Sequence, residues 1–389
     1  MDKDRESAHH SIDRVLDEEE CRRLWISAYP VRSVFDLWET RAIFAGHYRR
    51  KPLFLVHRSP EGSLDGLLPL GWIEGRGCFA FFPGETWKGR TWMESNRIIA
   101  GSSGIMAALV RAVPGPADIR YLEKPGFPSP VPLEQDETGY LFHPPGVHDT
   151  LCPGMDGASV SHASSMADSP SLGEYLGRFP GKSRKKLLSE IRSLEKQGVS
   201  FRYNDIGDMD HLFRMNMENF GEQSYFHDPR FKAALWDLAL MLEKKEMLRM
   251  VTVVINHEVA AVDMGAVVNG HCTLLAGGTS RSFPGIAKLI NLHHIEWSCI
   301  SGISLDFLCG DFGWKERFRL TPRPLYQIIL QGMTTKGRLP NPPLQLRVIP
   351  QQLRAIPQQS LLRYNYPNLN ESIFTIKIDG LGHYDDKTE

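Results

Sequence analysis

Residues 248–308 read LRMVTVVINHEVAAVDMGAVVNGHCTLLAGGTSRSFPGIAKLINLHHIEWSCISGISLDFL, and the order of apolar runs in this stretch decides the fold. Two β-rich runs, LRMVTVVI and VAAVDMGAVV, meet at Asn256-His257-Glu258, a compact polar hairpin turn. A third strand is expected over His271 to Ala276, after which the loop GGTSRSFPG feeds a helix from about Ile286 to Ile300 and then the strand ISLDFL. In that helix Ile286, Leu289, Ile290, His293, Trp297 and Ile300 recur at steps of three and four, so one face is apolar. His293 lies on that face as a core or interface histidine, and His294 is expected in solvent. Helical segments near Met209 to Phe220 and Arg230 to Lys245 come before the hairpin.

The first half shows the same order with little residue similarity. A helical stretch containing Val34, Leu37, Trp38, Ile43 and Phe44 precedes two apolar runs, Pro52 to His57 and Gly66 to Ile73, which are separated by the turn Arg58 to Ser63. Gly104 opens the helix IMAALVRAV, and Asp118 to Glu123 reads as a strand. Helix, hairpin, glycine-opened helix and strand thus occur twice, which predicts an internal duplication of one α/β unit. Between the copies, CPGMDGASVSHASSMADSPS has 13 of 20 residues as Ser, Ala, Gly or Pro and lacks aromatics, so it reads as a linker. The expected division is 1–151, a linker at 152–171, 172–335, and an extension at 336–389, where RVIPQQLRAIPQQSLLR holds prolines too close together for a long helix.

Composition narrows the function classes. The 389 residues suit two or three domains at roughly 150 residues each. A net charge of −1 gives no global field for nucleic acid, so a polyanion site has to be local. No apolar run approaches the ~20 residues of a membrane span. The polar start MDKDRESAHHSIDRVLDEEE lacks the core of a secretory signal, so a cytoplasmic protein is expected. Six cysteines without a C-x-x-C pair predict reduced, buried thiols and no metal site.

Three features carry possible chemistry. In Gly277 to Gly285 the flexible backbone meets a helix start, where unsatisfied N–H groups hold a pyrophosphate well and Arg281 would add a forked cation. The alternative is an ordinary glycine turn. Asp306 alternates against Ile303, Leu305 and Phe307 in an apolar strand, as a general base raised by desolvation or as an acceptor holding the next turn. Lys315, among aromatics in GDFGWKERF, is a cation for an oxyanion or phosphate, or else a surface lysine whose stem covers Trp314. The stretch Lys182 to Lys196, six basic residues against two acidic, either touches a phosphate-bearing partner or is a solvated amphipathic helix with Leu187, Leu188, Ile191 and Leu194 as its stripe.

Taken together, GKSRKKLLSEIRSLEKQG, the loop ending in PG before its helix, and LDFLCGDFGWKERF resemble the CelD/BcsL-like branch of the GNAT acyltransferase superfamily, relatives of the Fem peptidyltransferases. The resemblance covers about Ser169 to Leu330. It implies an α/β (α+β) fold of tandem GNAT-like domains, each a mixed, mainly antiparallel sheet flanked by helices. It further implies transfer of an acyl group from acyl-CoA or acetyl-CoA to an amine, on a small molecule or on a glycan or envelope precursor, without a metal. By motif position Asp306 and Lys315 would be catalytic, with Lys315 stabilising the tetrahedral intermediate. Gly278, Arg281, Ser282, Gly285, Ile286 and Ala287 would bind the donor, and Trp314 the acceptor. The loop Arg281 to Ala287 has one residue more than the usual Q/R-x-x-G-x-G/A, and Trp314 replaces the usual tyrosine or phenylalanine. Aminoacyl-tRNA as donor, or a non-catalytic scaffold in polysaccharide assembly, are the alternatives; near-neutral charge and the lack of a long inserted helical hairpin weigh against tRNA.

Overall fold

A computed structural model describes residues 11–145, 172–310 and 313–331; the expected linker at 152–171, the extension at 336–389 and Cys152 lie outside them. The first half begins with β1 (Ile12–Val15) and α1 (Glu18–Ala28), the latter capped by Asp17, whose carboxylate accepts the Glu20 N–H at 2.8 Å. Then follow α2 (Trp38–Tyr48), β2 (Pro52–Arg58), β3 (Leu64–Ile73), β4 (Cys78–Phe81), β5 (Ile99–Ala100), α3 (Ser103–Arg111), β6 (Ala117–Leu122) and β7 (Glu134–Phe142). The second half runs α4 (Leu172–Gly177), α5 (Gly181–Glu195), β8 (Val199–Tyr203), α6 (Met209–Phe220), α7 (Pro229–Lys244), β9 (Leu248–Ile255), β10 (Glu258–Val268) and β11 (His271–Thr279). It continues through α8 (Ile286–Ser301), β12 (Ser304–Asp306), α9 (Trp314–Arg317) and β13 (Thr321–Leu330).

Local chemistry sets these boundaries. Asn256 and His257 both take positive φ, as do Asn269 and Gly270, the pattern of two-residue turns whose twist matches the flanking strands. Gly302 closes α8 in the left-handed region, and its N–H returns to the Ser298 carbonyl.

The thirteen strands among the described residues join one mixed, mainly antiparallel sheet in the order β1-β2-β3-β4-β6-β13-β7-β12-β11-β10-β9-β8, with β5 paired to β3. Its two parallel contacts, β4 with β6 and β11 with β12, are each bridged by a crossover helix, α3 and α8. The repeated order of helix, hairpin, helix and strand is therefore present in three dimensions.

The junction between the halves was not legible. β13, from the end of the second half, lies between β6 and β7, with Ile328 opposite Ile119 and Pro324 opposite Thr138. β7 pairs on its other side with β12, Leu305 opposite Phe142. Two prolines, Pro322 and Pro324, argue against a central strand because they donate no ladder bond. The register shift between Pro324 and Tyr326 accommodates them. An apolar seam closes the same junction: Phe44 stacks on Trp92 at 5.2 Å, and Phe231 meets both edge-on at 5.8 and 5.3 Å.

Leu325, fully buried in β13, gives a direct test of this exchange. Leu325→Ala should cost about 2–5 kcal/mol, with both halves unfolding in one urea transition by tryptophan fluorescence and far-UV dichroism. Two separated transitions would show that the halves are energetically independent.

Candidate active site

The site starts where two parallel strands part. β11 and β12 pair only over His271–Ser304, Cys272–Leu305 and Thr273–Asp306, after which β11 runs on to Thr279 while β12 ends. Immediately beyond, the register of β11 with β10 shifts so that Leu275 is an extra residue in a bulge. The chain leaving β12 has few ladder partners, since only Phe307 N–H to Tyr140 and Tyr140 N–H to Leu308 continue the pairing with β7, at 2.9 and 3.2 Å.

Three buried ionic side chains supply the missing bonds. The Asp306 carboxylate accepts the Leu308 N–H at 2.8 Å. Glu94, from the first half, accepts the Cys309 N–H. The Lys315 ammonium donates to the carbonyls of Phe307, Leu308 and Cys309 at 2.9, 2.8 and 2.7 Å. Asp306, Lys315 and Glu94 are 2, 3 and 8 % exposed, which makes each an expensive charge to bury without such bonds. Leu308 sits at φ 57°, so this turn also carries a backbone conformation that leucine rarely takes.

The electrostatics correct two expectations. Burial pushes the Asp306 carboxyl up, but the Arg323 guanidinium at 2.8 Å, His271 at 4.0 Å and the Leu308 N–H outweigh it and hold the group down at about 2. Asp306 is therefore not a base raised by desolvation; it is an ionised acceptor that holds the following turn. Lys315 is not a surface lysine: burial lowers its pKa, and its three protons point at carbonyl oxygens. Glu94 goes the other way, burial raising it to about 7 against the pull of Cys309. Burial, with Glu94 beside it, likewise pushes the Cys309 thiol up.

On the helical side, a cleft of about 630 Å³ opens between α5, the first turns of α8, and α9. Ala287 and Trp314, both expected ligand contacts, line it, together with Lys186, Lys288, Arg317 and Arg319. The carboxylates Glu190 and Glu316 share the wall, and Glu190 pairs with Lys288. α8 starts at Gly285, φ 92°, without a side-chain cap, so its first-turn N–H groups have no local acceptor side chain. α5 buries Leu187, Leu188, Ile191 and Leu194 as its stripe and turns Lys186 to the cleft.

Other expected donor contacts lie elsewhere. Arg281 is exposed and tied to the end of α6, its Nε donating to Asn219 Oδ1 at 3.1 Å and Nη2 to the Glu218 carbonyl. Gly278 is a packing glycine: a Cβ there would come within 2.6 Å of the Leu212 carbonyl oxygen on α6. Ser282 is exposed beside Ser280, and Ile286 is buried. His293 is a core residue stacked on Phe201 at 4.0 Å, as its helical position implies. His294 is a correction, fully buried with Nε2 3.2 Å from Asp263 rather than solvated. Cys21, Cys78, Cys272 and Cys299 are free and buried, and no metal-ligating cluster of His, Cys, Asp or Glu occurs among the described residues.

Sequence reasoning passed over Glu94, Arg323 and the cleft cations Lys288, Arg317 and Arg319, whereas Lys186 falls in the basic stretch it named. Glu94 stands in the unremarkable run Trp92-Met-Glu-Ser-Asn-Arg97, and only the folded chain brings it to Cys309, 215 residues away. Arg317 and Arg319 were legible as cations flanking Phe318 just after Lys315.

Residues 181–316, in the second half of the chain, match the family model described as Acetyltransferase (GNAT) domain. No curated protein matches the chain in sequence. Among solved structures the chain is similar to a conserved protein of unknown function from Bacteroides thetaiotaomicron VPI-5482, at 12% identity and TM-score 0.50 over 82% of this chain and 100% of that one. It also aligns with L-PGS from Bacillus licheniformis (10%, TM-score 0.47, 82% and 94% covered) and with FemX (10%, TM-score 0.46, 82% and 97% covered). At these identities the first likeness bears on the fold alone.

The two shifted carboxylates give opposite pH signatures. Asp306 contributes on the order of 2 kcal/mol above the ordinary carboxylate range, lost as pH falls from about 4 through 2. Glu94, raised from its ordinary 4.5 to about 7, favours the folded state fully below pH 4.5 and less as pH rises through 7. Stability measured by urea unfolding should therefore decline from pH 5 to 8, and Glu94→Gln, which cannot titrate, should flatten that decline. An equal slope in the variant would contradict this environment for Glu94.

Proposed function

We propose that the chain is an N-acyltransferase of the CelD/BcsL-like kind that moves an acyl group from acyl-CoA to an amine. The observation that carries this reading is the cleft against the uncapped start of α8. Four cations and two carboxylates in its wall leave a positive surplus beside the start of a helix that no side chain caps, which suits the phosphates of a coenzyme A thioester. Lys186, Arg317 and Arg319 would meet phosphate oxygens, Ala287 would let them approach the helix start, and Trp314 would flank the acyl arm. The arm would run toward the opening between β11 and β12.

At that opening the amine attacks the thioester carbonyl, a C–N bond forms, and the C–S bond breaks with its electrons on sulfur. Negative charge builds on the carbonyl oxygen in between. The Leu275 backbone N–H, at the bulge where β11 and β10 fall out of register, is the donor this reading assigns to that charge. Asp306 and Lys315 act as positioning residues, because each already holds the turn at 307–309. The acceptor would be an amine on a small molecule or on a glycan or envelope precursor, reached from the side of the first half.

Calorimetric titration with coenzyme A, acetyl-CoA and a long-chain acyl-CoA tests the reading. Micromolar binding is expected, weakened at least tenfold in Lys186→Ala/Arg317→Ala and within about threefold of wild type in Arg281→Ala, whose guanidinium is tied to α6. Absence of binding by every thioester would overturn it. Lys315→Met should leave three buried carbonyls without their donor and destabilise the protein by about 3 kcal/mol or more, measured by urea unfolding; a stability equal to wild type would show that the turn does not depend on this lysine.

A further inference from the structure

Glu94 has no task in the cleft, yet it is firmly placed. Its segment is fixed on both sides: Trp92 and Met93 donate their N–H groups to Glu85 at 2.9 and 2.7 Å, and Asn96 N–H donates to the Tyr121 carbonyl at 2.8 Å. Ser95 is held by Glu123 at 2.8 Å. The carboxylate therefore arrives at Cys309 already oriented, three residues past the last β11–β12 pair.

Holding one backbone N–H does not require a charge, since a glutamine carbonyl accepts the same bond. A buried carboxylate costs more than an amide unless a cation pairs with it. Among the described residues Glu94 makes no ion pair. The nearby Lys315 gives its protons to three carbonyls, and Arg323 is paired with Asp306. The other groups facing it are Cys309 and Asp306 from the end of β12, Tyr121 from β6 and Tyr225 from the segment before α7. None of these four is a cation, the Lys315 ammonium acts on Glu94 through its charge without a direct bond, and a buried carboxylate with no hydrogen-bonded cation at the turn that follows β12 is suited to take up a proton.

We propose that Glu94 is the proton acceptor for the incoming amine, an inference that rests on the acyl-transfer reading above. The acceptor arrives as an ammonium and gives one proton to the Glu94 carboxylate. The neutral nitrogen then attacks the thioester carbonyl, the C–N bond forms and the C–S bond breaks. A second nitrogen proton passes to the departing thiolate, and Glu94 returns its proton to water. Ammonium and thioester thus become amide, free thiol and one solvated proton. The first half of the chain thereby supplies the base and the second half the donor site.

The test compares acetyl transfer from acetyl-CoA to two amines, ethanolamine, which is protonated near neutral pH, and hydroxylamine, which is not. Donor binding and thermal melting are measured alongside. In Glu94→Gln, transfer to ethanolamine should fall 100-fold or more, while transfer to hydroxylamine stays within about threefold, with donor affinity unchanged and a single cooperative melting transition retained. Equal rates with both amines in variant and wild type overturn the proposal. An equal loss with both amines also overturns it, because that marks a residue that only shapes the turn. Wild-type protein that binds acetyl-CoA but acetylates neither amine overturns it as well, whereas failure to bind acetyl-CoA at all removes the acyl-transfer reading beneath it.

Discussion

Everything near the site depends on how the chain is held where β12 leaves the sheet. A strand that quits its ladder exposes N–H and carbonyl groups that have to be paired if they stay out of water. Here five such groups on residues 307–309 are met by Asp306, Glu94 and Lys315, so the opening between β11 and β12 is kept by buried charges rather than by backbone pairing. The arrangement is strained in one sense and economical in another. One lysine satisfies three carbonyls, which no neutral side chain could do with a single atom. Its cost is that the three ionic groups become mutually dependent, since removing any one leaves the others with a buried charge and fewer neighbours.

That dependence explains why the two halves share a sheet. Glu94 reaches residue 309 only because the first half is registered against the second, and the register is set by β7 and β13. Thr321 and Asp306 both lie opposite Leu141, so one residue of β7 aligns the end of β12 on one side with the start of β13 on the other. Arg323, two residues further along β13, then lands on Asp306. A slip of one residue would turn every side chain of β13 to the other face and take Arg323 away from its partner. The strand exchange is thus the device that brings charges from four elements, the Glu94 segment, β12, α9 and β13, to one point.

The sequence made the repeated unit readable because its signals are local. Apolar alternation, Asn-containing turns and glycine at helix ends act over a few residues, and α2, α3, α6 to α8 and the strands β2, β3, β6 and β9 to β12 follow from them. β7 and β13 escaped because their own residues speak against them. Glu134 to Glu137 is acidic and polar, and Pro322 and Pro324 interrupt the other strand, so both exist through partners distant in sequence. The site divides along the same line. Asp306 and Lys315 stood out as charges inside apolar runs, but their role did not, because a lone carboxylate and one with Arg323 beside it have opposite proton affinities. Arg281 looked like a phosphate contact from its place in the loop, yet the end of α6 is nearer to it than the cleft is useful to it.

The charges also sort by element. Cations gather where α5, α8 and α9 surround the cleft, Lys288 paired with Glu190. The buried carboxylate of Glu94 comes from the first half and meets the chain at Cys309. Under the acyl-transfer reading, an anionic donor is drawn to the cations of the cleft and a cationic acceptor to a carboxylate. A chain of near-zero net charge can achieve this only by segregation, since a uniform field would favour one substrate at the expense of the other. The −1 balance of the whole protein is therefore compatible with strong local fields of both signs, and it is where the charges lie, rather than their sum, that bears on function.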